Sequence, residues 1–350
     1  MNSSNQQDHV VKAPVRCAVI GLGMGRGHAH TFMKCDNAKL VAVVDLETDR
    51  LAGFESELGK EALFTDYREM LKHVKPDLVM IALPNYLHKS VTLDSLEAGA
   101  HVLCEKPMAM TVAEAEEMLA AAKSCKRRLG INFSQRFSPA HRTLKQIADS
   151  GALGDIYHGY CSWTRRDNIP RFGGWFGQKE LSGGGPLIDL GVHRIDLSMW
   201  LMGHPKVVSV SGVIHHRLGV PRGKEQGKSF DVEDFATGLV RFDNGASLIL
   251  EVSWVGHQRE KETQQMRIMG TQGALEMDHG YFHYSRQGDA FCTTAIDVET
   301  AQARSSCQEM VHCLVTGKPF WGAPEHGINV QRVLNGLYES AATGRDVVFE

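Results

Sequence analysis

The chain has 350 residues, of which 43% are hydrophobic and 23% are charged. This length accommodates two domains with separate cores, and the composition is ordinary for a globular protein. The formal net charge of −3, without any long basic block, argues against nucleic acid as a partner.

The N-terminal segment and the cysteines bear on localisation. Residues 1–13 are polar and lack the apolar core of a signal peptide, so we expect a disordered tail. No apolar run approaches the roughly 18 residues of a membrane span. The eight cysteines include no C-x-x-C pair, which predicts reduced thiols in a cytoplasmic protein. The neighbours His215 and His216 would point to opposite faces of a strand, so we predict no metal site.

The first part of the chain alternates strand and helix patterns. The predicted strands are Val15–Ile20, Leu40–Val44, Leu78–Leu83, His101–Cys104 and Gly130–Phe133. The predicted helices are Gly27–Cys35, Glu47–Leu58, Tyr67–His73, Tyr86–Ala98 and Thr111–Ser124, the last with Thr111 and Glu114 as a capping box. Such alternation predicts an α/β fold, with a doubly wound parallel sheet over residues 14–135.

The pattern then changes to consecutive strands. The predicted strands are Ile156–Arg165, Val207–His216, Glu233–Phe242, Ala246–Val255, Gln264–Met269 and Ala274–Met277. The predicted helices are Pro139–Ser150, Ala301–Thr316 and Glu325–Thr343, and Pro221–Lys228 is expected to be a flexible loop. These patterns predict an α+β domain with an open antiparallel sheet at 136–325, followed by a C-terminal helix and strand at 326–350.

A glycine-rich segment follows the first strand. Glycines let the backbone turn tightly and approach a pyrophosphate at a helix N-terminus. The G-x-G-x-x-G spacing is incomplete, because Arg26 occupies the third glycine position. Asp45 ends the second strand, where a carboxylate would bind ribose hydroxyls and favour NAD over NADP. The alternative is a turn without a ligand. The predicted cofactor-binding residues of this region are Gly21, Gly23, Met24, Gly25, Arg26 and Asp45.

Two further segments lie at the carboxyl edge of the predicted sheet, where open α/β sheets bind ligands. Pro84, Asn85 and His88 follow one strand and are predicted to bind the cofactor, although capping of the next helix is an equal alternative. Glu105 and Lys106 follow the next strand. A lysine held there can donate to a substrate oxygen.

The most informative segment is a glycine run followed by a helical pattern. Apolar residues share one predicted face, namely Ile188, Val192, Ile195, Met199 and Met202. Asp189 and His193 share another face, as a carboxylate and an imidazole four residues apart. This pair suits proton transfer, and a buried polar pair is the alternative. Small residues at Gly183–Gly185 would let the helix start approach a cofactor and substrate closely.

Candidate substrate contacts lie in two further places. Trp163 and Trp175 could stack on a sugar ring, and Arg165 and Arg166 could bind hydroxyls or an acidic substituent. Solvated surface arginines are the alternative. Asn132 and Arg136 follow the last strand of the first domain and could reach the same cleft or serve as structural caps.

Together, these motifs resemble the Gfo/Idh/MocA oxidoreductase family from about Val15 to Glu350. The resemblance implies a Rossmann domain with bound NAD, a sugar or polyol substrate, and a homodimer or homotetramer formed by the outer sheet face. It also implies catalytic roles for Lys106, Asp189 and His193, and a contact of Glu105 with the nicotinamide ribose. The departure at Arg26 concerns the pyrophosphate contacts.

The leading functional hypothesis is an NAD-dependent dehydrogenase that moves a hydride between nicotinamide and a secondary hydroxyl of a sugar, sugar derivative or polyol. In this mechanism His193 is the general base, Lys106 stabilises charge on the oxygen, and Asp189 orients the substrate or the imidazole. One alternative is an NAD-dependent glycoside hydrolase, which oxidises, eliminates and re-reduces a sugar. A non-catalytic NAD-binding sensor is a third possibility.

Overall fold

The computed structural model describes residues 10–298 and 304–349, so residues 1–9 of the predicted tail at 1–13 and residues 301–303 of the predicted helix Ala301–Thr316 lie outside the described residues. The chain forms two compact units. The first extends to Ser134 and includes Arg304–Ile328, and the second comprises the remainder. Residues 304–325, which sequence analysis placed in the second domain, therefore belong to the first unit.

Residues 10–134 form six strands and six α-helices. The strands are β1 (Val15–Ile20), β2 (Ala38–Val44), β3 (Leu63–Phe64), β4 (Leu78–Ile81), β5 (His101–Cys104) and β6 (Leu129–Ile131). The helices are α1 (Gly25–Met33), α2 (Thr48–Ala52), α3 (Glu55–Leu58), α4 (Tyr67–Val74), α5 (His88–Glu97) and α6 (Val112–Ser124). Thr111 caps α6 by accepting from the Glu114 backbone N–H.

The first sheet confirms the predicted doubly wound architecture. Its strand order is β3-β2-β1-β4-β5-β6, and every pair is parallel. The central strands β4 and β5 are buried along their whole length, which explains their continuous apolar sequences. The predicted single helix Glu47–Leu58 is wrong, because the chain divides it at Gly53 into α2 and α3.

The next 164 residues, 135–298, contain eight strands and four α-helices. The strands are β7 (Ile156–Arg165), β8 (Val207–His215), β9 (Phe235–Phe242), β10 (Ser247–Ser253), β11 (Glu262–Gly270), β12 (Gly273–Met277), β13 (Tyr281–Gln287) and β14 (Ala290–Ala295). The helices are α7 (Pro139–Asp149), α8 (Lys179–Ser182), α9 (Val192–Leu201) and α10 (Gly219–Glu225). The C-terminal part adds α11 (Ser306–Thr316), α12 (Pro324–Thr343) and β15 (Val347–Val348).

The second sheet is mixed rather than purely antiparallel. Its order is β14-β13-β12-β11-β7-β10-β9-β8-β15, and β7 pairs with β10 in parallel. The other pairs are antiparallel. Glycines make room for α12 on this sheet, because a Cβ at Gly212 would lie 2.6 Å from the Leu337 carbonyl oxygen. The sequence patterns did not predict β3, β13 or β14.

The predicted flexible loop Pro221–Lys228 is wrong, because most of it belongs to α10. The Asp234 carboxylate accepts hydrogen bonds from the backbone N–H groups of Leu218 and Gly219, each at 2.7 Å. Gly219 and Gly223 pack against Phe230: a Cβ at Gly219 would lie 2.4 Å from its ring, and a Cβ at Gly223 would lie 2.8 Å from its Cβ. A carboxylate cap and close glycine packing thus order a segment whose composition suggested mobility.

Candidate active site

The glycine-rich segment between β1 and α1 has the geometry of a phosphate-binding loop. Gly21 has φ +90°, and a Cβ there would lie 2.3 Å from the Ala82 carbonyl oxygen. A Cβ at Gly25 would lie 2.9 Å from Val19, so this glycine allows α1 to pack closely on β1. By contrast, a Cβ at Gly23 would meet no heavy atom within 4 Å. The loop thus packs closely against the protein at Gly21 and Gly25 and has open space at Gly23. This arrangement fits a dinucleotide pyrophosphate.

The residues that interrupt the glycine motif do not block this opening. Met24 and Arg26 are exposed, and the Arg26 guanidinium lies towards Gly53, 3.5 Å from the position of a Cβ there. Gly25 provides the close helix packing that the third glycine of the motif usually supplies. The departure at Arg26 is therefore compatible with a dinucleotide site.

Asp45 joins the end of β2 to the glycine loop. Its Oδ2 accepts a hydrogen bond from the Leu22 backbone N–H at 2.6 Å, and its Oδ1 accepts one from Glu47 at 2.9 Å. The Arg50 guanidinium lies 3.3 Å from Oδ2. A carboxylate has about four acceptor positions, so Asp45 can hold the loop and still accept from a ribose hydroxyl.

Glu105 is the centre of a buried polar network at the end of β5. Its Oε1 accepts from the Asn132 amide at 2.6 Å and lies 2.8 Å from His28 Nε2. The backbone N–H of Lys106 donates to Oε2 at 3.2 Å. On the other side of the imidazole, Cys307 Sγ lies 3.4 Å from His28 Nδ1. The network fixes the carboxylate directly beside the partly exposed Lys106.

Charge pairing shifts the pKa values of both main members of this network. Burial alone lowers the pKa of His28, but its hydrogen bonds to Cys307 and Glu105 outweigh burial and raise the value from 6.5 to about 10. Burial alone raises the pKa of Glu105, but His28, Lys106 and Asn132 together lower it. At neutral pH the pair is therefore an imidazolium and a carboxylate.

Two predicted ligand contacts occupy structural positions in the first unit. His88 is fully buried, with Nδ1 2.8 Å from the Pro107 carbonyl oxygen and Nε2 2.9 Å from that of Leu83. It thus links the segments that follow β4 and β5, rather than presenting its ring to a cofactor. Asn132 is 2% exposed and holds Glu105, which corrects its predicted substrate contact. Asn85 is also buried.

In the second unit, the predicted catalytic helix begins with an irregular turn. Residues Leu187–Gly191 form one π-helical turn, and α9 follows directly. Asp189 lies in this turn, and its Oδ2 accepts a hydrogen bond from Trp254 Nε1 at 3.0 Å. His193 lies in the first turn of α9, and both side chains are half-buried. Turns of this type interrupt α-helices at functional sites in many proteins.

The apolar face predicted for this segment is confirmed. Its members are at most 7% exposed, namely Ile188, Val192, Ile195, Met199 and Met202. Asp196, three residues after His193, is buried in a bidentate ion pair with Arg136, at 2.5 Å and 3.0 Å. Arg136 is 0% exposed. Its predicted contact with substrate is therefore replaced by a structural ion pair.

A buried carboxylate holds the start of the π-helical turn. Glu233 is 1% exposed and accepts hydrogen bonds from the backbone N–H groups of Gly185 at 2.8 Å and Leu187 at 3.0 Å. The Tyr338 hydroxyl donates to the same carboxylate at 2.8 Å. Burial raises the pKa of Glu233, although these three donors oppose the shift.

This arrangement gives the glycine run a different role from the predicted approach to a ligand. A Cβ at Gly184 would lie 1.9 Å from the Tyr338 hydroxyl, and a Cβ at Gly185 would lie 2.1 Å from the Glu233 carbonyl oxygen. Any larger residue would displace the groups that hold the turn. The glycines are thus required by packing within the second unit.

Trp163 lies beside His193 with ring centroids 5.9 Å apart. Its indole N–H donates to Glu262 at 2.6 Å, and the Arg165 guanidinium lies 5.2 Å from its ring centroid. The structure therefore places two predicted substrate contacts, Trp163 and Arg165, near the predicted general base. Trp175 stacks on Phe176 at 4.0 Å, and Arg166 is exposed.

Sequence reasoning missed several polar residues of both units. They are His28, Glu233, Trp254, Glu262, Cys307 and Tyr338. Only Glu233 had a local signal, because two adjacent carboxylates at a strand start are unusual in an otherwise apolar segment. The others acquire their partners through contacts between distant parts of the sequence, such as the 279 residues between His28 and Cys307.

The described residues contain no group of three or more His, Cys, Asp or Glu side chains arranged to hold a metal ion. Within the same residues, no helix has both the length and the apolar character that crossing a membrane requires.

Comparisons with known proteins agree with this architecture. Residues 15–133 match the family model described as "Oxidoreductase family, NAD-binding Rossmann fold", and residues 141–276 match the GFO/IDH/MocA C-terminal domain. The chain is 32% identical to D-glucoside 3-dehydrogenase of Escherichia coli (strain K12), over 97% of this chain and 98% of that protein. It is 30% identical to scyllo-inositol 2-dehydrogenase (NAD(+)) of Bacillus subtilis (strain 168), over 87% of each.

A solved structure supports the fold independently. The aldose-aldose oxidoreductase of Caulobacter crescentus, complexed with glycerol, superposes with a TM-score of 0.81 at 24% identity. The match covers 96% of this chain and 99% of that one.

Proposed function

Because the chain belongs to the GFO/IDH/MocA oxidoreductase family, with its NAD-binding Rossmann domain, we propose that it oxidises a secondary hydroxyl of a sugar or glycoside. The observation that carries the proposal is the half-buried His193 beside the Trp163 ring, with Asp189 fixed by Trp254. A flat indole next to a titratable imidazole suits a pyranose ring whose hydroxyl must lose a proton.

The proposed site residues have separate chemical roles. Oxidation of a CH–OH group removes a proton from the oxygen and a hydride from the carbon. When bound, NAD accepts the hydride. His193 accepts the O–H proton. Lys106 carries a positive charge that stabilises developing negative charge on the oxygen, and Asp189 orients the substrate or the imidazole.

The cofactor contacts follow from the first unit. The open face at Gly23 would receive the pyrophosphate, and Asp45 would accept from a ribose hydroxyl. Glu105, held by His28 and Asn132, would accept from the nicotinamide ribose. The names of the relatives, a glucoside dehydrogenase and an inositol dehydrogenase, support a neutral ring polyol as the substrate class.

The proposal also includes a cellular compartment and an oligomeric state. All eight cysteines are free, which supports a reducing compartment such as the cytoplasm. The outer face of the second sheet exposes apolar side chains, including Val213 at 49% and Ile249 at 39%, which supports a homo-oligomer.

The test is a panel of free sugars, glycosides, sugar acids and inositols incubated with NAD, with NADH absorbance and released aglycone recorded together. We expect stoichiometric NADH from at least one neutral sugar, and a loss of about 10²–10⁴-fold in kcat for His193→Asn and Lys106→Met. Aglycone release without net NADH would instead identify a redox-neutral glycosidase. Unchanged turnover in both variants would refute the assigned roles.

A further inference from the structure

The polar cluster around Trp163 contains a carboxylate that neither the family match nor the assigned catalytic roles explain. In the register of β7 and β11, Arg165 is opposite Glu262 and Trp163 is opposite Gln264. Residues two apart in a strand project from the same face, so all four side chains share one face of the sheet. The residue-by-residue pairing thus builds the cluster beside His193.

Glu262 is held as an anion within this cluster. Its Oε1 accepts hydrogen bonds from Trp163 Nε1 at 2.6 Å and from Gln264 Nε2 at 2.8 Å. Its Oε2 lies 3.4 Å from Arg165 Nε. Burial alone would raise the pKa of Glu262, but these three groups together lower it. The Glu262 side chain is nevertheless 38% exposed, so it remains accessible to a ligand.

A buried cation fixes the orientation of this network. Arg194 donates to the Gln264 side-chain oxygen, which leaves the amide nitrogen of Gln264 to donate to Glu262. Arg194 is 1% exposed and lies 4.9 Å from the Trp163 ring centroid. Burial lowers the pKa of Arg194 to about 10, so the group is still charged at neutral pH. Its burial prevents it from binding a substrate anion.

The charged groups of the cluster that solvent can reach therefore carry a net charge that is negative or zero, and not positive. Arg165 is 18% exposed and is paired with Glu262, which is the more exposed partner at 38%. A carboxylate accepts hydrogen bonds from hydroxyl groups, whereas it repels another carboxylate at close range. Trp163 neighbours both residues, with its ring centroid 5.9 Å from that of His193 and its Nε1 2.6 Å from Glu262, so a sugar whose reacting hydroxyl meets His193 could stack on the indole and reach Glu262.

We propose that Glu262 determines substrate charge, by binding a hydroxyl of a neutral sugar and excluding the corresponding uronic acid. This inference rests on the proposed function, since it concerns the substrate of the same site. Arg165 was predicted to bind either hydroxyls or an acidic substituent. Because Glu262 neutralises its charge, this proposal favours hydroxyl binding.

The experiment compares kcat/KM for methyl glucoside and methyl glucuronoside with NAD, in the wild type, Glu262→Gln and Glu262→Asp. We expect the wild type to prefer the glucoside. Glu262→Gln keeps the size of the side chain and removes the charge, so the glucuronoside-to-glucoside ratio should rise about tenfold or more. Glu262→Asp keeps the charge and should retain the preference.

A matched control is available on the opposite face of the same sheet. Glu276 forms a comparable pair with Arg267 at 3.1 Å and also accepts from a tyrosine hydroxyl, that of Tyr284 at 3.2 Å. Arg267 is an odd number of residues from Glu262, so it projects from the other face of β11. Glu276→Gln should leave the ratio unchanged.

The outcomes separate this inference from the proposed function. If the wild type reduces NAD with the glucoside and Glu262→Gln leaves the ratio unchanged, the charge-selection role is overturned and the dehydrogenase function stands. Equal ratios in Glu262→Gln and Glu262→Asp would overturn it as well. If the wild type oxidises no member of the sugar panel, the proposed function itself fails. Thermal unfolding of each variant, with midpoints near that of the wild type, confirms that the ratios compare folded proteins.

Discussion

Buried carboxylates recur at the positions where this chain must fix a backbone segment. Asp45 holds Leu22 of the glycine loop, Glu105 holds the backbone of Lys106, and Glu233 holds the turn that contains Asp189. A carboxylate can accept several N–H groups at once, and charge-assisted hydrogen bonds are stronger than neutral ones. These residues therefore position loops that must present backbone or side-chain groups accurately.

We expect the preference for NAD over NADP to depend on the charge of Asp45. Asp45→Asn retains an oxygen that can accept from Leu22 and removes the charge that repels a 2′-phosphate. With Arg50 still nearby, we expect the ratio of kcat/KM for NADP to that for NAD to rise at least tenfold. The exposed Asp49, one residue before Arg50, provides the control variant Asp49→Asn. An unchanged ratio in Asp45→Asn would contradict the role of this carboxylate.

The His28–Glu105 pair predicts a pH-dependent stability. Because the pKa of His28 rises from 6.5 to about 10 in the folded state, its stabilisation is fully present below about pH 6.5 and is lost as pH rises towards 10. The unfolding midpoint of His28→Gln should therefore be lowest relative to the wild type near pH 6.5, and the difference should shrink towards pH 10.

The surface offers a matched control for this effect. His73 lies 3.0 Å from Glu69 in an exposed pair on α4, where solvent screens the charges. His73→Gln should change the midpoint little at either pH. A constant difference between wild type and His28→Gln across the pH range would show that the imidazole does not titrate with folding.

At the scale of elements, the π-helical turn before α9 is held from outside rather than by its own sequence. Helical periodicity correctly predicted the apolar face of this segment, since that face depends on spacing alone. It did not predict the turn itself, because the turn depends on Glu233 and Tyr338, which lie 46 and about 150 residues away in sequence. A local pattern carries no information about such partners.

Loss of this support should impair activity more than it unfolds the protein. The backbone N–H groups of Gly185 and Leu187 each donate to a different oxygen of Glu233. In Glu233→Gln an amide NH₂ replaces one of these oxygens, so one backbone N–H loses its acceptor. We expect this loss to destabilise the second unit by about 1–3 kcal/mol. We expect kcat with a neutral sugar to fall at least tenfold and KM for NAD to change little. The readouts are steady-state kinetics and the unfolding midpoint.

Tyr338→Phe should give a milder form of the same defect. It removes only the hydroxyl donor to Glu233 and keeps both backbone hydrogen bonds. As a control, Tyr157→Phe alters a tyrosine that is 48% exposed on β7. Wild-type kcat in Glu233→Gln would show that the turn holds its geometry without the carboxylate.

At the scale of the whole molecule, the second sheet predicts self-association through its outer face. Leu248 and Leu250 are fully buried, whereas Ile249 between them is 39% exposed. Ile249→Lys should reduce the mass measured by analytical ultracentrifugation to that of a monomer, because a lysine is costly to bury at an apolar interface. Leu46→Lys changes a residue that is 85% exposed in the first unit, and should leave the mass unchanged. An oligomer that persists in Ile249→Lys would place the interface elsewhere.

The sequence by itself determined the parallel first sheet, most strands of the second sheet, the glycine loop and the apolar face of the helix that carries His193, because periodicity and glycine spacing are local properties. The positions of Asp45 and Lys106 at strand ends follow from the same local patterns. Tertiary structure alone decided which polar groups are buried with protein partners and which remain accessible. Arg136 and His88 became structural, whereas Glu262 joined Trp163 and Arg165, because strand register and long-range packing select the partner of each buried or half-buried charge.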